Sequence, residues 1–329
     1  MACAIAPAAA GTHPSIGHPI DRIFFIMMEN QSFDNVIGRH DAVNVLEPDT
    51  PFITNLAENN GLALLSFGTT HPSLPNYLSA ISGQVFNNHD DSPSCFAIPH
   101  PTGPCHAYHH VTTLVDSLEA AHMTWSAYFQ TMPGVGSLVA QWPASPGPAL
   151  YAQKHNPFVY FANIVENKER MADLKPMNML DGDLALGALA PQFEFIVPDQ
   201  CHDMHGQAPC SNFDPLLREG DAEVKNLVNK IEASPAFTTN SLIIVTWDED
   251  DYSSVLGCCD APTFPGGAQY GGGHIATIFV SAGGGTPLRS TNPYNEYSVL
   301  STIENVWGLP LLGNTADTVN VQPMLDLIH

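Results

Sequence analysis

Short apolar runs recur along the chain, and each has the length of a β-strand. Five of them are rich in β-branched or aromatic residues and lie at 21–28, 62–67, 193–197, 241–247 and 275–281. A continuous apolar run of this length is typical of a strand that is buried on both faces of a parallel sheet. Residues 124–129 predict a further strand.

Helical patterns occupy the stretches between these runs. Residues 220–234 place Val224, Leu227, Val228 and Ile231 at the spacing of an amphipathic helix. Further helices are predicted at 75–83, 113–122 and 297–307, because each has a proline or threonine near its start or a glycine at its end.

The alternation of strands and helices predicts an α/β fold. We expect a three-layer α/β/α sandwich with a mostly parallel central sheet. No internal repeat is visible, so residues 20–329 are predicted to form a single domain. Residues 1–19 resemble a leader remnant or a flexible N-terminus.

Polar residues follow four of the predicted strands. Glu29 comes directly after the first run, Ser73 and His205 stand a few residues beyond the second and third, and Asp248 follows Trp247. In an open α/β sheet the ligand site lies beyond the carboxyl ends of the strands. Each residue also has a bland alternative, such as a loop position for Glu29 or a helix cap for Ser73, but their common location predicts a site.

The charge of the chain restricts its partners. It has 33 acidic residues against 10 Lys and Arg, a formal net charge of -23. Such a chain repels nucleic acid and anionic membranes, and none of its apolar runs is long enough to span a bilayer. A site that binds phosphate would therefore take its positive charge from a metal ion and from histidines.

The cysteines predict an oxidising compartment. Cys95 with Cys105 and Cys201 with Cys210 form local pairs in polar loops, and Cys258 and Cys259 are adjacent. This pattern fits disulfides in an exported protein, whereas the rival zinc site would be expected to carry a CxxC pair. We expect a secreted, periplasmic or cell-surface protein in which Cys3 is the odd thiol.

The strand-end residues suit phosphoryl chemistry. Oxygen ligands such as Glu29, Asp248 and Glu249 bind Ca, Mg or Mn, and nearby histidines would admit Zn. The predicted helix after Ser73 would favour an anion at its N-terminus, including a phosphorylated serine. A histidine could protonate the leaving oxygen. His155 follows Lys154, one of few basic residues, which favours contact with an anion.

Several ordered blocks resemble a known family. These blocks are MMENQSFDN at 27–35, HPSLPNYLSAISG at 71–83, KHNPF at 154–158, HDMH at 202–205, and TWDED at 246–250 with GGGHIATIFVS at 271–281. They are similar to the bacterial and fungal phosphoesterases, a family of acid phosphatases and non-specific phospholipases C in the alkaline-phosphatase-like superfamily. The resemblance covers residues 20 to 310.

The resemblance implies roles for individual residues. Ser73 matches the nucleophile, and His155 and His205 match histidines that contact phosphate or the leaving group. The implied metal ligands are Glu29, Asn30, Asp248 and Glu249, and the implied substrate-binding residues are Asn30, Asn76, His155 and His205. Asp248 and Glu249 replace the Asp-His pair of two-metal relatives, which favours one metal ion over two.

The function expected from this resemblance is hydrolysis of phosphate monoesters through a phosphoserine. The phospholipase branch usually continues with a Gly-rich, aromatic segment after the acidic pair, whereas here Asp250, Asp251, Tyr252 and a two-cysteine loop follow, which favours a phosphatase. The partner would be a small phosphorylated substrate or a phospholipid head group. Two alternatives remain: a phospholipase C or other phosphodiesterase using the same site, and a non-catalytic calcium-binding surface protein.

Overall fold

The structure is a computed structural model that describes residues 19–37, 49–144, 147–262 and 270–329. The described strands are β1 Arg22–Met28, β2 Gly61–Phe67, β3 Trp125–Phe129, β4 Gln141–Trp142, β5 Tyr151–Ala152, β6 Leu174–Pro176, β7 Phe193–Val197, β8 Ser241–Trp247, β9 His274–Ser281 and β10 Arg289–Tyr294. The described α-helices are α1 Phe33–Ile37, α2 Pro51–Asn59, α3 Ser73–Ser82, α4 Leu114–Ala120, α5 Ala162–Val165, α6 Lys168–Ala172, α7 Leu180–Leu184, α8 Phe213–Glu232 and α9 Glu296–Trp307.

Eight of these strands form one sheet in the order β10-β2-β9-β8-β1-β7-β3-β6, and β4 pairs with β5 separately. All neighbouring pairs in the large sheet are parallel except the two that involve β9, which runs against both β2 and β8. The mostly parallel α/β sheet predicted from the sequence is confirmed. The carboxyl ends of β1, β2, β7 and β8 consequently lie at one edge.

Strand β1 shows how the chain builds two cores. Its side chains alternate between faces. Ile23, Phe25 and Met27 belong to a cluster with apolar residues of α3, α4 and α9. The intervening side chains pack with α2, α7 and α8 on the other face. The predicted three layers therefore follow from a strand that is apolar at every position.

Two helices begin earlier than the sequence predicts. Helix α8 starts at Phe213 rather than at residue 220, with Pro215 in its first turn, where proline is tolerated. Helix α3 starts at Ser73 rather than at Pro75. Ser73 is thus the first residue of the helix, whereas the sequence predicted that it precedes the helix.

Disulfides pin two of the long loops. Cys95 bonds to Cys105 and Cys201 bonds to Cys210, which confirms the predicted local pairs. The adjacent Cys258 and Cys259 are also bonded to each other. Cys3 and the predicted leader lie outside the described residues, apart from position 19. None of the described helices has the length and apolar composition of a membrane span. The single domain over 20–329 stays a prediction.

The Gly271–Gly273 run marks a close approach of two backbones. The Gly272 N–H donates a hydrogen bond to the Gly68 carbonyl, and a Cβ on Gly272 would lie 2.4 Å from the carbonyl oxygen of Thr70. Gly273 has a φ of 78°, and its Cβ would meet the carboxylate of Asp250 at 2.1 Å. These glycines let β9 start directly beside the loop that leads to Ser73.

Candidate active site

The strand ends bring together the residues that the sequence singles out. Glu29 follows β1, Ser73 lies beyond β2, His205 lies beyond β7, and Asp248 and Glu249 follow β8. Glu29, Ser73, Asp248 and Glu249 are all fully buried. The solvated loop position considered for Glu29 is therefore not what the structure shows.

Ser73 points its hydroxyl into a pair of carboxylates. Its Oγ lies 3.0 Å from Glu29 Oε2 and 3.2 Å from Glu249 Oε1, so its single proton has two acceptors. Helix α3 has Pro72 at its N-cap position and no side-chain cap bond. Because the hydroxyl is not used to cap the helix, it remains available for chemistry.

Asn76 shapes the loop in front of Ser73. Its side-chain oxygen accepts a hydrogen bond of 2.9 Å from the Thr70 N–H, and its Nδ2 donates one of 2.7 Å to the Thr70 carbonyl. Both ends of this fully buried amide thus hold one residue of the loop. The substrate-binding role of Asn76 stays a prediction.

Three buried carboxylates form a candidate cation cluster. Glu29, Asp248 and Glu249 each place one oxygen within 4.8 Å of the others. The Asn30 N–H donates to Asp248 Oδ1 at 3.2 Å, while Asp248 Oδ2 and Asn30 Oδ1 are buried with no hydrogen-bond partner among the described residues. Buried carboxylate and amide oxygens that lack a hydrogen-bond partner suit a hard divalent ion as ligands.

The electrostatics of this cluster point the same way. Burial, with the charges of Glu29 and Glu249, raises the pKa of Asp248 well above its ordinary value. Burial also raises the pKa of Glu249 to about 7, although His71 acts against it. The raised pKa values show that no nearby positive charge among the described residues fully compensates these buried carboxylates. A divalent cation would provide that charge.

The last two acids of the 248–251 cluster face elsewhere. Asp250 is buried and accepts a hydrogen bond of 3.0 Å from Ser253 Oγ, and its Oδ1 lies 3.4 Å from His71 Nε2. Asp251 is exposed and accepts a hydrogen bond from Asn35. The four carboxylates therefore divide into Asp248 and Glu249, which belong to the candidate cation cluster, and Asp250 and Asp251, which do not.

His155 lies between two carboxylates and does not contact the serine. Its Nε2 is 2.9 Å from Glu29 Oε1 and its Nδ1 is 3.3 Å from Asp203 Oδ2. Burial alone would lower the pKa of His155, but the charge of Glu29 and the bonds to both acids raise it to about 9. Although burial opposes ionisation of Glu29, His155 lowers the pKa of that carboxyl to about 2.

Lys154 is one of the residues at the site that the sequence did not predict there. Its Nζ lies 3.3 Å from Ser73 Oγ, 3.0 Å from Asp91 Oδ2 and 3.0 Å from His205 Nε2. The signal was its position beside His155 in a chain with only 10 basic residues. The structure places this cation against the candidate nucleophile.

His205 is oriented by its backbone and by Lys154. Its Nδ1 lies 3.0 Å from the Gly206 carbonyl, to which it donates, so that Nε2 accepts from the lysine ammonium. Burial and the charge of Lys154 lower the pKa of His205 to about 4. Glu29, His155 and His205 also bring one ligand atom each within 4.8 Å of one another, which makes them a second candidate cation cluster.

A profile of the Phosphoesterase family matches residues 46–310. The chain is 30% identical over 325 residues to a phosphatidylinositol-3-phosphatase of Mycobacterium tuberculosis, which covers 97% of this chain and 85% of that protein. It is 27% identical to a phosphate-repressible acid phosphatase of Penicillium chrysogenum, with 94% of this chain but 64% of that protein covered.

A solved structure supports the fold. It is a protein of the alkaline phosphatase superfamily from Vibrio parahaemolyticus, with a TM-score of 0.54 and 11% identity. The match covers 88% of this chain and 67% of that one. The alkaline-phosphatase-like fold expected from the sequence is thereby confirmed.

Proposed function

The chain belongs to the Phosphoesterase family, and from this premise we propose that it is a secreted, metal-dependent phosphomonoesterase that acts through a phosphoserine at Ser73. The observation that carries the proposal is the position of the Ser73 hydroxyl. It lies at the first residue of α3, within hydrogen-bond distance of two carboxylates and of Lys154. The relatives named phosphatidylinositol-3-phosphatase and acid phosphatase support monoesters as the substrate class.

The metal site that we propose consists of Glu29, Asn30, Asp248 and Glu249. A divalent ion bound there would neutralise phosphoryl oxygens and lower the pKa of a nearby hydroxyl. Ligands that are all oxygen favour Ca, Mg or Mn over Zn. One ion is favoured over two, because Lys154 Nζ stands 3.0 Å from His205 Nε2, the atom that a second ion would need.

The residues of the chain can carry out both halves of the reaction. The Ser73 oxygen would attack phosphorus while its proton passes to Glu249 Oε1, because the pKa of Glu249 is raised whereas that of Glu29 is lowered. The bond from phosphorus to the leaving oxygen breaks as the phosphoserine forms, and the leaving oxygen takes a proton. Water then attacks the phosphoserine and releases inorganic phosphate, and Ser73 recovers its proton.

Of the two predicted histidines, we assign the protonation of the leaving oxygen to His205. Both ring nitrogens of the buried His155 are occupied by Glu29 and Asp203, which suits it to hold these carboxylates in place. His205 is only partly buried, and because its pKa is lowered it would donate from a minor protonated form, which is a strong acid and becomes more populated at acidic pH.

Export is proposed from the disulfides. Cys95–Cys105 and Cys201–Cys210 fix loops next to the site. Disulfides form and persist in oxidising compartments, so the protein would work in secreted, periplasmic or surface-bound form.

The test compares Ser73→Ala with Ser79→Ala, since Ser79 lies on the same helix and its hydroxyl donates to the Asn76 carbonyl. Hydrolysis of p-nitrophenyl phosphate, bis-p-nitrophenyl phosphate and phosphatidylcholine is measured after metal removal and readdition, and phosphate on Ser73 is trapped by acid quenching and located by mass spectrometry. We expect metal-dependent hydrolysis of the monoester that Ser73→Ala alone abolishes. A dominant diester or lipid rate would instead favour the phosphodiesterase alternative, and unchanged hydrolysis in Ser73→Ala would exclude the serine mechanism.

A further inference from the structure

Asp91 lies on the loop between α3 and α4 and contacts two groups next to Ser73. Its Oδ1 accepts a hydrogen bond of 3.0 Å from the Leu74 N–H. Its Oδ2 accepts one of 3.0 Å from Lys154 Nζ. One carboxylate thus bridges the backbone of the nucleophile helix and the cation that contacts Ser73 Oγ.

These two donors are the ones that a phosphoryl group on Ser73 would use. The N–H groups in the first turn of a helix have no partner within the helix, and together with the helix dipole they favour an anion. Leu74 is the second residue of α3, and Lys154 Nζ lies 3.3 Å from the Ser73 oxygen. Asp91 therefore supplies the anion that these donors would otherwise take from the substrate.

We propose that Asp91 is a built-in competitor for the phosphoryl site, which the substrate displaces and which weakens the binding of product phosphate. This proposal rests on the proposed function, since it takes Ser73 as the nucleophile. A carboxylate that occupies the anion position raises the free energy of any bound phosphate, because the two negative charges compete for the same donors. The consequence for the enzyme is faster release of product.

The surroundings of Asp91 allow it to move. Its side chain is 31% exposed. A cavity of about 400 Å³, lined among others by Asp91, Lys154, Gln153 and Gln200, opens beside it. The displaced carboxylate can enter this cavity and remain hydrated.

Contacts other than those of Asp91 also hold the loop. The Cys95–Cys105 disulfide closes it, and the neighbouring Asp90 accepts hydrogen bonds of 2.7 Å from His106 Nε2 and 2.8 Å from the Ser92 N–H. Asp91→Asn retains an oxygen for the Leu74 N–H and removes the charge. Asp90→Asn makes the same change one residue away, where the carboxylate does not contact Lys154, and serves as the matched control.

The experiment measures binding of inorganic phosphate to the metal-loaded protein by calorimetry, and phosphate as a competitive inhibitor of p-nitrophenyl phosphate hydrolysis, at constant ionic strength. We expect Asp91→Asn to bind phosphate about tenfold more tightly than the unmodified protein, and Asp90→Asn to stay within about twofold of it. If the unmodified protein binds phosphate too weakly to measure, Asp91→Asn should still bind it measurably.

Two results would overturn the proposal. One is phosphate affinity in Asp91→Asn that is equal to or weaker than that of the unmodified protein. The other is a fall in kcat with unchanged phosphate affinity, which would make Asp91 a positioning residue for Lys154. Failure of the proposed function is seen separately, as phosphate binding without hydrolysis of any ester.

Discussion

His71 Nδ1 lies 2.5 Å from Glu249 Oε2, on the side of the carboxylate opposite to the serine. The other oxygen, Oε1, faces Ser73 Oγ at 3.2 Å. The second ring nitrogen of His71 lies 3.2 Å from the Ser254 carbonyl, and the ring stacks on Tyr252. His71 therefore fixes the orientation in which Glu249 presents Oε1 to Ser73 and to the proposed metal ion.

Replacing His71 should weaken the binding of the metal. His71→Asn loses the contact that orients Glu249, and loss of such a partner of a ligand typically costs about 10- to 100-fold in metal affinity. Titration of the metal-free protein with Mg²⁺, Ca²⁺ or Mn²⁺ measures this constant. The exposed His122, which has a φ of 59°, accepts asparagine readily, so His122→Asn is the control. Equal metal affinity in both variants would show that Glu249 is oriented without His71.

The buried central strands could be predicted from the sequence, because burial requires apolar residues at every position. The run at 241–247 coincides with β8, and the run at 21–28 matches β1 to one residue, because central parallel strands are apolar on both faces. The reversed direction of β9 was not predictable, since it depends on its neighbours. Helix α2 and the short α5 to α7 were also missed, because short helices show few turns of periodicity.

The same limit applies to the site. Residues that directly follow strands, such as Glu29 and Asp248, could be located because strand ends share an edge. Lys154 lies in a short 3₁₀ helix and His71 and Asp91 lie in loops, and their contacts depend on how these segments fold back. No spacing in the sequence encodes a contact such as that between Asp91 and Lys154.

Removing the Lys154 charge should slow catalysis and leave the metal in place. Lys154→Met loses the donor at Ser73, and removal of one such donor typically lowers kcat by roughly 10²- to 10³-fold. Metal content, measured by elemental analysis, should stay at the unmodified value because Lys154 is not a ligand. Lys225→Met, at an exposed position on α8, should behave like the unmodified protein. Loss of metal together with activity in Lys154→Met would contradict the separate roles assigned to lysine and carboxylates.

Metal binding should stabilise the fold through Asp248. A ligand at about 100 times its dissociation constant stabilises the folded state by about 2.7 kcal/mol, so a saturating divalent cation should raise the Tm of the metal-free protein. Asp248→Asn should lose most of this shift, while Asp251→Asn, at the exposed end of the same cluster, should retain it. Differential scanning fluorimetry measures all three proteins. A full shift in Asp248→Asn would place the ion elsewhere.

A buried glutamate on α9 should make stability depend on pH. Burial raises the pKa of Glu304 to about 8, although Thr315 and the Leu312 N–H lower it. Because the folded state then holds a proton that the unfolded chain releases near its ordinary pKa of about 4.5, this contribution to stability is complete below about pH 4.5 and is lost as the pH rises to about 8.

Glu304→Gln keeps an acceptor for the Leu312 N–H and has no proton to lose. We therefore expect Glu304→Gln to gain stability over the unmodified protein between about pH 5 and pH 8, by roughly a few kcal/mol at most. Chemical denaturation at both pH values measures the difference, and the exposed Glu58→Gln should show no such gain. A constant difference between Glu304→Gln and the unmodified protein across this range would mean that Glu304 is ionised in the folded state.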